Sequence, residues 1–404
     1  VGQVTSSVEL SPSSLTLSSV GDTATITATV WAAAGSVVEG ATVTWVATTP
    51  SVATVSATGL VTAVSNGSAV VIAISGSGSA AATVTVAQVA STVELSATTV
   101  SFTSFADTAT ITPTVKDAGG TVIAGATVTW SSSSASIATV SAAGLVTARG
   151  NGTATMTAVS GLASATASAT INQVPNSVTL APTTLSLVSL GDTATVTATV
   201  KDSNDSTMAG ATVTWASSDT TIATVSAAGL VTAILNGTAT ITVTSGSASA
   251  TTAVSVVQAA GSVTLSPTTV SFASFADTAT ITATVRDAGG TVIAGATVTW
   301  TTSSASIATV SAAGLVTSIG NGTATITATS GSATATAAAT VSQAAVSVAL
   351  SPTTLTFASF ADTATFTATV KDSNDSTMAG ATVTWATSDT TIATVSAAGL
   401  VTAI

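Results

Sequence analysis

The sequence predicts an all-β protein built from tandem β-sandwiches. Two observations predict this class: an internal repeat of about 85 residues, and short runs of alternating apolar and polar residues that are separated by turn sequences. The chain has 404 residues, more than one hydrophobic core usually serves, so several domains are expected. No segment shows a sustained helical period, and we expect essentially no α-helix.

Tryptophan marks the repeat. One Trp recurs at a constant spacing along the whole chain, and a Gly, an Asp and a Gln recur at the same spacing without insertion or deletion. The tryptophans are Trp45, Trp130, Trp215, Trp300 and Trp385. Taking the Gln as the last residue gives repeats 1 to 5, at 4–88, 89–173, 174–258, 259–343 and 344–404. Residues 1–3 are then the tail of a preceding repeat, and repeat 5 is truncated.

A second period, of about 170 residues, lies on top of the first and makes a pair of repeats the larger unit. Repeats 2 and 4 share DAGGTVIAGATVTW, at 117–130 and 287–300, whereas repeats 3 and 5 share KDSNDSTMAGATVTW, at 201–215 and 371–385. Repeat 1 departs from both patterns. We hypothesise that adjacent domains face different neighbours, so that two surface types recur along the chain.

Repeat 4 illustrates the predicted strands. In DTATITATVR (277–286), Ala279, Ile281, Ala283 and Val285 fall on one face, and Thr residues fall on the other, which predicts one half-buried strand. Further strands are predicted at 263–272, 296–300, 307–311, 314–319 and 322–330, and in the segment ending at 343. Asn-Gly at 66–67, 151–152, 236–237 and 321–322 predicts hairpin turns. About seven short strands per repeat indicate a sandwich.

The sequence around the Trp resembles a known family. The pattern W-(A/S/T)-(S/T)-x-x-x-x-I-A-T-V-S-A-A-G-L-V-T-A, followed by N-G-T-A-T-I-T, resembles the bacterial immunoglobulin-like domain, group 2. The opening V-x-L-x-P and the central D-T-A-T-x-T-A-T-V fit the same family. Domains of this family are similar to the stalks of invasin- and intimin-like adhesins, and occur in phage structural and surface-layer proteins. The resemblance implies immunoglobulin-like sandwiches, an extracellular or cell-surface location and no catalytic site.

The periodic Trp is the predicted structural anchor of each sandwich core. Burial of a large aromatic ring contributes a few kcal/mol, and the chain has no cysteine to link the two sheets. We expect the Trp300-type ring to be surrounded by positions equivalent to Ile281, Ile307, Val310, Leu315 and Ile326. Five sandwiches in series, joined by few residues, are expected to form an extended rod with stiff joints.

Composition excludes several functions. The chain has five basic residues against sixteen acidic ones, and the five lie far apart, so no nucleic-acid partner or anionic membrane surface is expected. No run of about 18 apolar residues predicts a transmembrane segment. The absence of His and Cys removes the usual nucleophile and base pairs. We therefore predict that the protein is not an enzyme.

Two sets of polar residues are candidate metal ligands, for calcium in each case. The segment KDSNDSTMAG has the oxygen-rich start of a calcium loop but lacks the Gly and Glu of an EF-hand, and Asp, Asn and Ser also favour turns. Its candidate ligands are Asp202, Asn204, Asp205, Asp372, Asn374 and Asp375. The second set opens the 277-type strand, where the alternatives are an Asx-turn, an inter-domain hydrogen bond or a metal site at the domain junction. It comprises Asp22, Asp107, Asp192, Asp277 and Asp362. No other cofactor is expected.

Six asparagines fit the sequon for N-glycosylation. They are Asn66, Asn151, Asn204, Asn236, Asn321 and Asn374. Most coincide with the Asn-Gly turns, which explain them without sugars, so both interpretations stay open.

Two functions follow from these patterns. The first is a structural extracellular protein that self-associates into a filament, sheath or surface layer, because small neutral side chains and 5% charge remove most of the repulsion between copies. The alternative is the stalk of a cell-surface adhesin, whose binding tip lies outside this sequence and whose partners are cell-surface glycans or other surface proteins.

Overall fold

A computed structural model describes residues 4–404 of the chain, and the predicted tail at 1–3, with Gln3, lies outside the described residues. The secondary structure of this part is strand, turn and irregular chain. Within it, no helix has the length and apolar character needed to span a membrane. The chain divides into two compact units. One comprises residues up to Thr179 with Thr199–Thr212 and Thr244–Ser249, and the other comprises Leu180–Ala198, Val213–Val243 and Ala250–Ile404.

Each of the first four repeats contributes nine described strands. Repeat 1 has β1 Thr5–Ser11, β2 Ser14–Leu17, β3 Thr23–Thr25, β4 Thr27–Ala32, β5 Thr44–Ala47, β6 Ala53–Val55, β7 Leu60–Ala63, β8 Gly67–Ser75 and β9 Gly78–Val86. Repeat 2 has β10 Thr92–Leu95, β11 Thr99–Phe102, β12 Thr108–Thr110, β13 Pro113–Lys116, β14 Thr129–Ser132, β15 Ala138–Val140, β16 Leu145–Ala148, β17 Gly152–Ser160 and β18 Ala163–Ile171.

The later repeats follow the same order. Repeat 3 has β19 Ser177–Ala181, β20 Thr184–Leu187, β21 Thr193–Thr195, β22 Thr197–Lys201, β23 Thr214–Ser217, β24 Ala223–Val225, β25 Leu230–Ala233, β26 Gly237–Ser245 and β27 Ala248–Val256. Repeat 4 has β28 Ser262–Ser266, β29 Thr269–Phe272, β30 Thr278–Thr280, β31 Thr282–Arg286, β32 Thr299–Thr302, β33 Ala308–Val310, β34 Leu315–Ser318, β35 Gly322–Ser330 and β36 Ala333–Val341. Repeat 5 has β37 Ser347–Ser351, β38 Thr363–Thr365, β39 Thr367–Lys371, β40 Ala393–Val395 and β41 Leu400–Ala403.

Repeat 4 illustrates the arrangement of strands in the sandwich. A four-stranded sheet has the order β29-β36-β35-β32, in which β29 runs parallel to β36 and the other pairs are antiparallel. The opposite layer contains the three-stranded sheet β30-β34-β33 and the pair β28-β31. Repeats 1 and 2 have the same strand orders. The predicted class of tandem immunoglobulin-like sandwiches is confirmed.

The single strand predicted at 277–286 is wrong in one respect. The alternation of buried Ile281 and Val285 with exposed Thr residues is present, but the run is two strands, β30 and β31, that belong to different sheets. They separate at Ile281, whose N–H donates to the carbonyl of Gly314 at 2.9 Å. Alternation of side chains predicts which face is buried, but it does not reveal a change of partner strand.

The Asn-Gly hairpin prediction is also wrong. Asn321-Gly322 joins β34 to β35, and these two strands lie in different sheets. The hairpins are made elsewhere, by Gly331-Ser332 between β35 and β36, and by the Ala-Ala-Gly turn at 312–314 between β33 and β34. The side chain of Asn321 instead forms hydrogen bonds with Gln343.

The core of repeat 4 is built from both sheets. Ile281, Val316 and Ile326 are fully buried, and the half-buried Trp300, Ile307 and Val310 pack against them. The predicted core position Leu315 is wrong, because its side chain is 40% exposed while that of Val316 is 0% exposed. The two residues are neighbours in β34 and so point to opposite faces of the sheet. The other predicted members of this cluster are correct.

A glycine allows the Trp to pack closely. Gly314 has φ +79°, and a Cβ there would overlap the carbonyl oxygen of Ile281 and lie 3.0 Å from Cζ2 of Trp300. The backbone bond from Ile281 and the ring of Trp300 therefore both require a residue without a side chain. The equivalent Gly59, Gly144, Gly229 and Gly399 have the same two kinds of neighbour.

Candidate functional site: the junctions between repeats

The last residue of each complete repeat is a Gln that is fixed by an Asn of the same repeat. The backbone N–H of Gln88 donates to Oδ1 of Asn66 at 2.7 Å, and Nδ2 of Asn66 donates to Oε1 of Gln88 at 3.0 Å. The same pair of bonds joins Asn151 to Gln173, Asn236 to Gln258 and Asn321 to Gln343. The Asn-Gly sequence thus positions a side chain at the end of its own repeat.

The same Gln reaches the following repeat. Nε2 of Gln88 donates to Oδ2 of Asp117 at 2.7 Å, and the backbone N–H of Val20, in repeat 1, donates to the same oxygen at 3.0 Å. The three later junctions repeat this arrangement with Gln173 and Phe105 on Asp202, Gln258 and Leu190 on Asp287, and Gln343 and Phe275 on Asp372. Each carboxylate therefore joins two repeats through charge-assisted hydrogen bonds.

These four carboxylates are buried. Asp117, Asp202, Asp287 and Asp372 are each exposed by no more than 3%. The hydrogen bond from Gln88 lowers the pKa of Asp117 most strongly, burial opposes it, and the N–H groups of Val20 and Thr121 add to the lowering. For Asp202, burial is the largest influence and raises the pKa, but the bonds from Gln173 and three backbone N–H groups together hold the pKa below its ordinary value. The junction carboxylates are therefore ionised and fully hydrogen-bonded.

Two versions of the junction alternate. Between repeats 2 and 3, the hydroxyls of Ser104 and Ser203 are 2.6 Å apart, and Nδ2 of Asn204 donates to the carbonyl of Phe105 and to Oδ1 of Asp107 at 2.8 and 2.9 Å. Repeats 4 and 5 reproduce these bonds with Ser274, Ser373, Asn374, Phe275 and Asp277. Repeats 2 and 4 carry Ala and Gly in place of the Ser and Asn, so their own junctions with the preceding repeat lack these bonds.

Each Asp of the second candidate metal set closes a local loop of its own repeat by accepting backbone hydrogen bonds. Oδ2 of Asp22, Asp107, Asp192, Asp277 and Asp362 accepts backbone N–H groups three or four residues earlier, such as Ser19 N at 2.8 Å and Ser104 N at 3.0 Å. Asp107 and Asp277 also accept the inter-repeat bond from Asn204 or Asn374. Both non-metal interpretations of this set, a local turn and an inter-domain bond, describe bonds that are present.

In the first candidate metal set, the carboxylates of Asp202 and Asp372 already accept hydrogen bonds from N–H groups. The carboxylate of Asp202 accepts four N–H groups, from Gln173, Phe105, Asn204 and Ser206, between 2.8 and 3.0 Å. Asn204 offers its amide nitrogen to the neighbouring repeat, and Asp205 lies outside the network with an exposed side chain. Asp372, Asn374 and Asp375 are placed in the same way. Within residues 4–404 no group of three His, Cys, Asp or Glu side chains is arranged to hold a metal ion.

The six sequon asparagines are exposed, but their amides are engaged. Nδ2 of Asn204 makes two hydrogen bonds, and Asn374 matches it. Nδ2 of Asn66, Asn151, Asn236 and Asn321 makes one bond, to the Gln at the end of the repeat. A glycan replaces one hydrogen on this nitrogen, so it would displace a junction bond at Asn204 and Asn374. Glycosylation stays a prediction at all six positions.

Sequence reasoning did not assign a role to the Gln, and it proposed Asp202 and Asp372, of the 117 type, only as candidate calcium ligands and not as residues that join repeats. The signal was present, because the Gln recurs at the last position of every complete repeat and repeats 2 to 5 have an Asp where repeat 1 has Ala32. The sequence did not reveal that this Gln and this Asp, 29 residues apart in the chain, meet across a boundary between repeats.

Two family models match segments of the chain. A family model described as "Bacterial Ig-like domain (group 2)" matches residues 4–86, 175–256, 259–341 and 344–404, and one described as "Intimin, immunoglobulin-like domain" matches 114–162. The chain belongs to the bacterial Ig-like domain family, group 2. No curated protein matches the sequence.

The similarity of this chain to solved structures is low in both sequence identity and TM-score. Surface layer protein SbsC, domains 1–6, aligns with 94% of this chain and 58% of its own length, at 18% identity and a TM-score of 0.24. This chain thus spans a little over half of that structure. Invasin, described as a bacterial integrin-binding protein, aligns with 83% of this chain and 79% of its own, at 17% identity and a TM-score of 0.37. Mouse cadherin-23 EC22–24 aligns with 63% of this chain and 99% of its own, at 14% identity and a TM-score of 0.26.

Proposed function

We propose that this group 2 Ig-like array is a structural protein of the cell exterior that self-associates laterally into a filament, sheath or layer, and that it has no catalytic role. The observation that carries the proposal is the chemistry of the outer face of each four-stranded sheet. The extracellular setting is supported by the family and by the match to an intimin-type domain.

The outer face of the repeat 4 sheet is made of small neutral residues. Its exposed and half-buried side chains are Thr269, Ser271, Thr299, Thr301, Thr323, Thr325, Thr327, Thr329, Thr334, Thr336, Ala338 and Thr340. Among the described residues of this face none is charged. Repeat 2 has Thr and Ser at the same positions, apart from Val159.

Charge is concentrated away from these faces. Nine of the sixteen acidic residues of the chain are the four buried junction carboxylates and the five loop carboxylates of the Asp22 type. Globular surfaces usually carry roughly 25% or more charged residues, which repel copies of the same protein. Two such faces can therefore approach with little electrostatic cost, and rows of Thr hydroxyls are able to hydrogen-bond across the contact.

A second function, the stalk of an adhesin, is favoured by the junctions. Buried carboxylates tie each repeat to the next, and this arrangement would present a distant binding tip whether or not copies pack side by side. In that case the partners, cell-surface glycans or surface proteins, are bound by other parts of a longer protein.

The two functions are distinguished by adding charge to the sheet face. Thr155 and Thr325 are exposed on this face, and replacing both with Glu should abolish assembly of the full chain. The matched control replaces Thr179 and Thr264 with Glu, because repeats 1 and 2 carry Glu9 and Glu94 at that position. Sedimentation and electron microscopy at neutral pH should show assemblies for the wild type and the control. Separate molecules in all three samples would overturn lateral assembly and support the stalk.

A further inference from the structure

The alternation in sequence lies partly at the junctions, on both sides of each boundary. One side is a loop that follows the buried Asp, with Ala-Gly-Gly at 118–120 and 288–290, and Ser-Asn-Asp at 203–205 and 373–375. We call these the AGG loop and the SND loop. The other side is the segment before the Asp22-type residue, with Val20-Gly21, Phe105-Ala106, Leu190-Gly191 and Phe275-Ala276 in repeats 1 to 4.

The two sides vary together. A segment with Val-Gly or Leu-Gly is followed by a repeat with the AGG loop, and a segment with Phe-Ala is followed by a repeat with the SND loop. All four described junctions obey this rule, two of each kind. We propose that these residues form a pairing code that specifies which repeat can follow which.

The code has a steric half. In the AGG junction the loop approaches the preceding repeat so closely that a Cβ at Gly119 would lie 3.0 Å from the carbonyl oxygen of Val20. At Gly289 the corresponding distance, to the carbonyl of Leu190, is 3.2 Å. The side chain of the Asn that the SND loop carries at the equivalent position would fit here only if the backbone of the preceding repeat gave way by a few tenths of an ångström.

The code also has a hydrogen-bonding half. In the SND junction, Asn204 bonds to the carbonyl of Phe105 and to Asp107, and Ser203 bonds to Ser104. An AGG loop in that place would leave these groups without their partners. The effect of losing the Ser partner is visible at the matched junction between repeats 3 and 4, where Ala288 stands in place of the Ser and the hydroxyl of Ser189 is buried without a hydrogen-bond partner among residues 4–404. Buried polar groups that lose a partner destabilise the contact.

The steric half is tested in the full chain with Gly119→Asn, which introduces a mismatch between repeats 1 and 2. Gly120→Asn is the matched control, because Gly120 has φ +82° with nothing within 4 Å of its Cβ, and Asn tolerates this backbone conformation. Hydrogen exchange of the Val20 amide, which donates to Asp117, reports on the junction. We expect exchange roughly tenfold faster in Gly119→Asn and nearly unchanged in the control.

The rescue variant separates a code from simple damage. Val20→Phe, Gly21→Ala, Ala118→Ser and Gly119→Asn together give the first junction the Ser and Asn that contact the preceding repeat at the SND junctions, with the Phe-Ala segment that matches them, and should restore slow exchange at position 20. Equal exchange in Gly119→Asn and Gly120→Asn, or no recovery in the fourfold variant, would overturn the proposal.

The hydrogen-bonding half is tested at the junction between repeats 2 and 3, where no bulk is added. Asn204→Gly should accelerate exchange of the Phe105 amide, and the neighbouring control Asp205→Gly should not, because Asp205 has φ +61° and Gly120 occupies its place in repeat 2. If Asn204→Gly leaves this amide as protected as the control does, the loop does not discriminate between neighbours. Far-UV circular dichroism confirms that each variant is folded before exchange is compared.

Discussion

At the scale of single residues, Leu315 and Val316 show how strongly one step along a strand changes a side chain's environment. Both are large and apolar, yet the first is 40% exposed and the second is fully buried. Trp300 lies between these extremes: it is half-buried, and it packs against both clusters of buried residues in repeat 4. Its loss should therefore affect the entire sandwich.

The first prediction compares Trp300→Ala with Leu315→Ala. Removing the Trp ring should destabilise repeat 4 by about 3 kcal/mol, since the cavity is lined by residues of both sheets. Leu315→Ala should cost less than about 1 kcal/mol, because that side chain faces solvent. Hydrogen exchange of the β35 amides in the full chain measures both effects. Similar losses for the two variants would contradict the assignment of Trp300 as the anchor.

The second prediction concerns the pH dependence of the junction Asp residues. The pKa of Asp202 is lowered in the folded protein from an ordinary value of 3.8, so the unfolded chain binds a proton more readily than the folded one. The stability that this carboxylate contributes is complete above pH 3.8 and is lost as the pH falls through the lower, folded pKa. Asp202→Asn should reduce the fall in melting temperature between pH 6 and strongly acidic solution. An identical fall in the variant would show that this group does not titrate as described.

At the scale of elements, the loop at 202–206 combines functions that sequence patterns cannot separate. From the sequence alone, its Asp, Ser and Asn residues fit a calcium loop, a turn and an interface equally well. In the structure, the donors that surround Asp202 are N–H groups, which take the place that a cation would need. Metal binding would require Gln173 and the backbone to release the carboxylate.

The third prediction follows from this donor set. Millimolar calcium should leave the melting temperature of the full chain unchanged, and so should a chelator, because a ligand stabilises only the state that binds it. Asp202→Asn is the control for any change that does occur. A rise in melting temperature with calcium that disappears in this variant would establish a metal site at the junction.

The sequence predicted the elements that depend on local alternation. The strand at 322–330 coincides with β35, and the buried and exposed faces of 277–286 are correct. It did not predict that this run changes sheets at Ile281, because the side-chain pattern continues unbroken while the backbone partner changes. The role of Asn321 was missed for a related reason: Asn-Gly is a local turn signal, and its real bond is to Gln343, 22 residues away.

At the scale of the whole molecule, the junctions determine how far stability is shared. In a tandem array, stability is approximately a sum of the stabilities of the repeats and of the contacts between neighbours. Each described junction adds a buried carboxylate that accepts bonds from both repeats. The residues that make this contact, such as Gln88 and Asp117, lie outside the hydrophobic clusters of repeats 1 and 2, so a mutation can be directed at the contact alone.

The fourth prediction is that Asp117→Asn uncouples repeats 1 and 2 without unfolding either. The amide NH₂ of the Asn would oppose donors in either orientation, because Oδ2 of Asp117 accepts from both Gln88 and Val20 and Oδ1 accepts from the N–H of Thr121. Calorimetry of the full chain should show a lower van't Hoff enthalpy relative to the calorimetric enthalpy, because the cooperative unit becomes shorter. Asp205→Asn, an exposed loop substitution, is the control. An unchanged enthalpy ratio in Asp117→Asn would show that the carboxylate does not couple the repeats.

The matched junctions restrict how such a gene can grow or shrink by recombination. Duplicating repeat 3 alone would set its Leu190-Gly191 segment against an SND loop, and deleting it would set the Phe105-Ala106 segment of repeat 2 against the AGG loop of repeat 4. Duplicating or deleting repeats 2 and 3 as a pair leaves every boundary matched. Adding or removing one of repeats 2 to 4 alone would therefore create a mismatched junction, whereas adding or removing repeats 2 and 3 as a pair would not. Repeat 5 differs, because it combines an SND loop with a Phe360-Ala361 segment, so a second copy of it could follow directly without a mismatch.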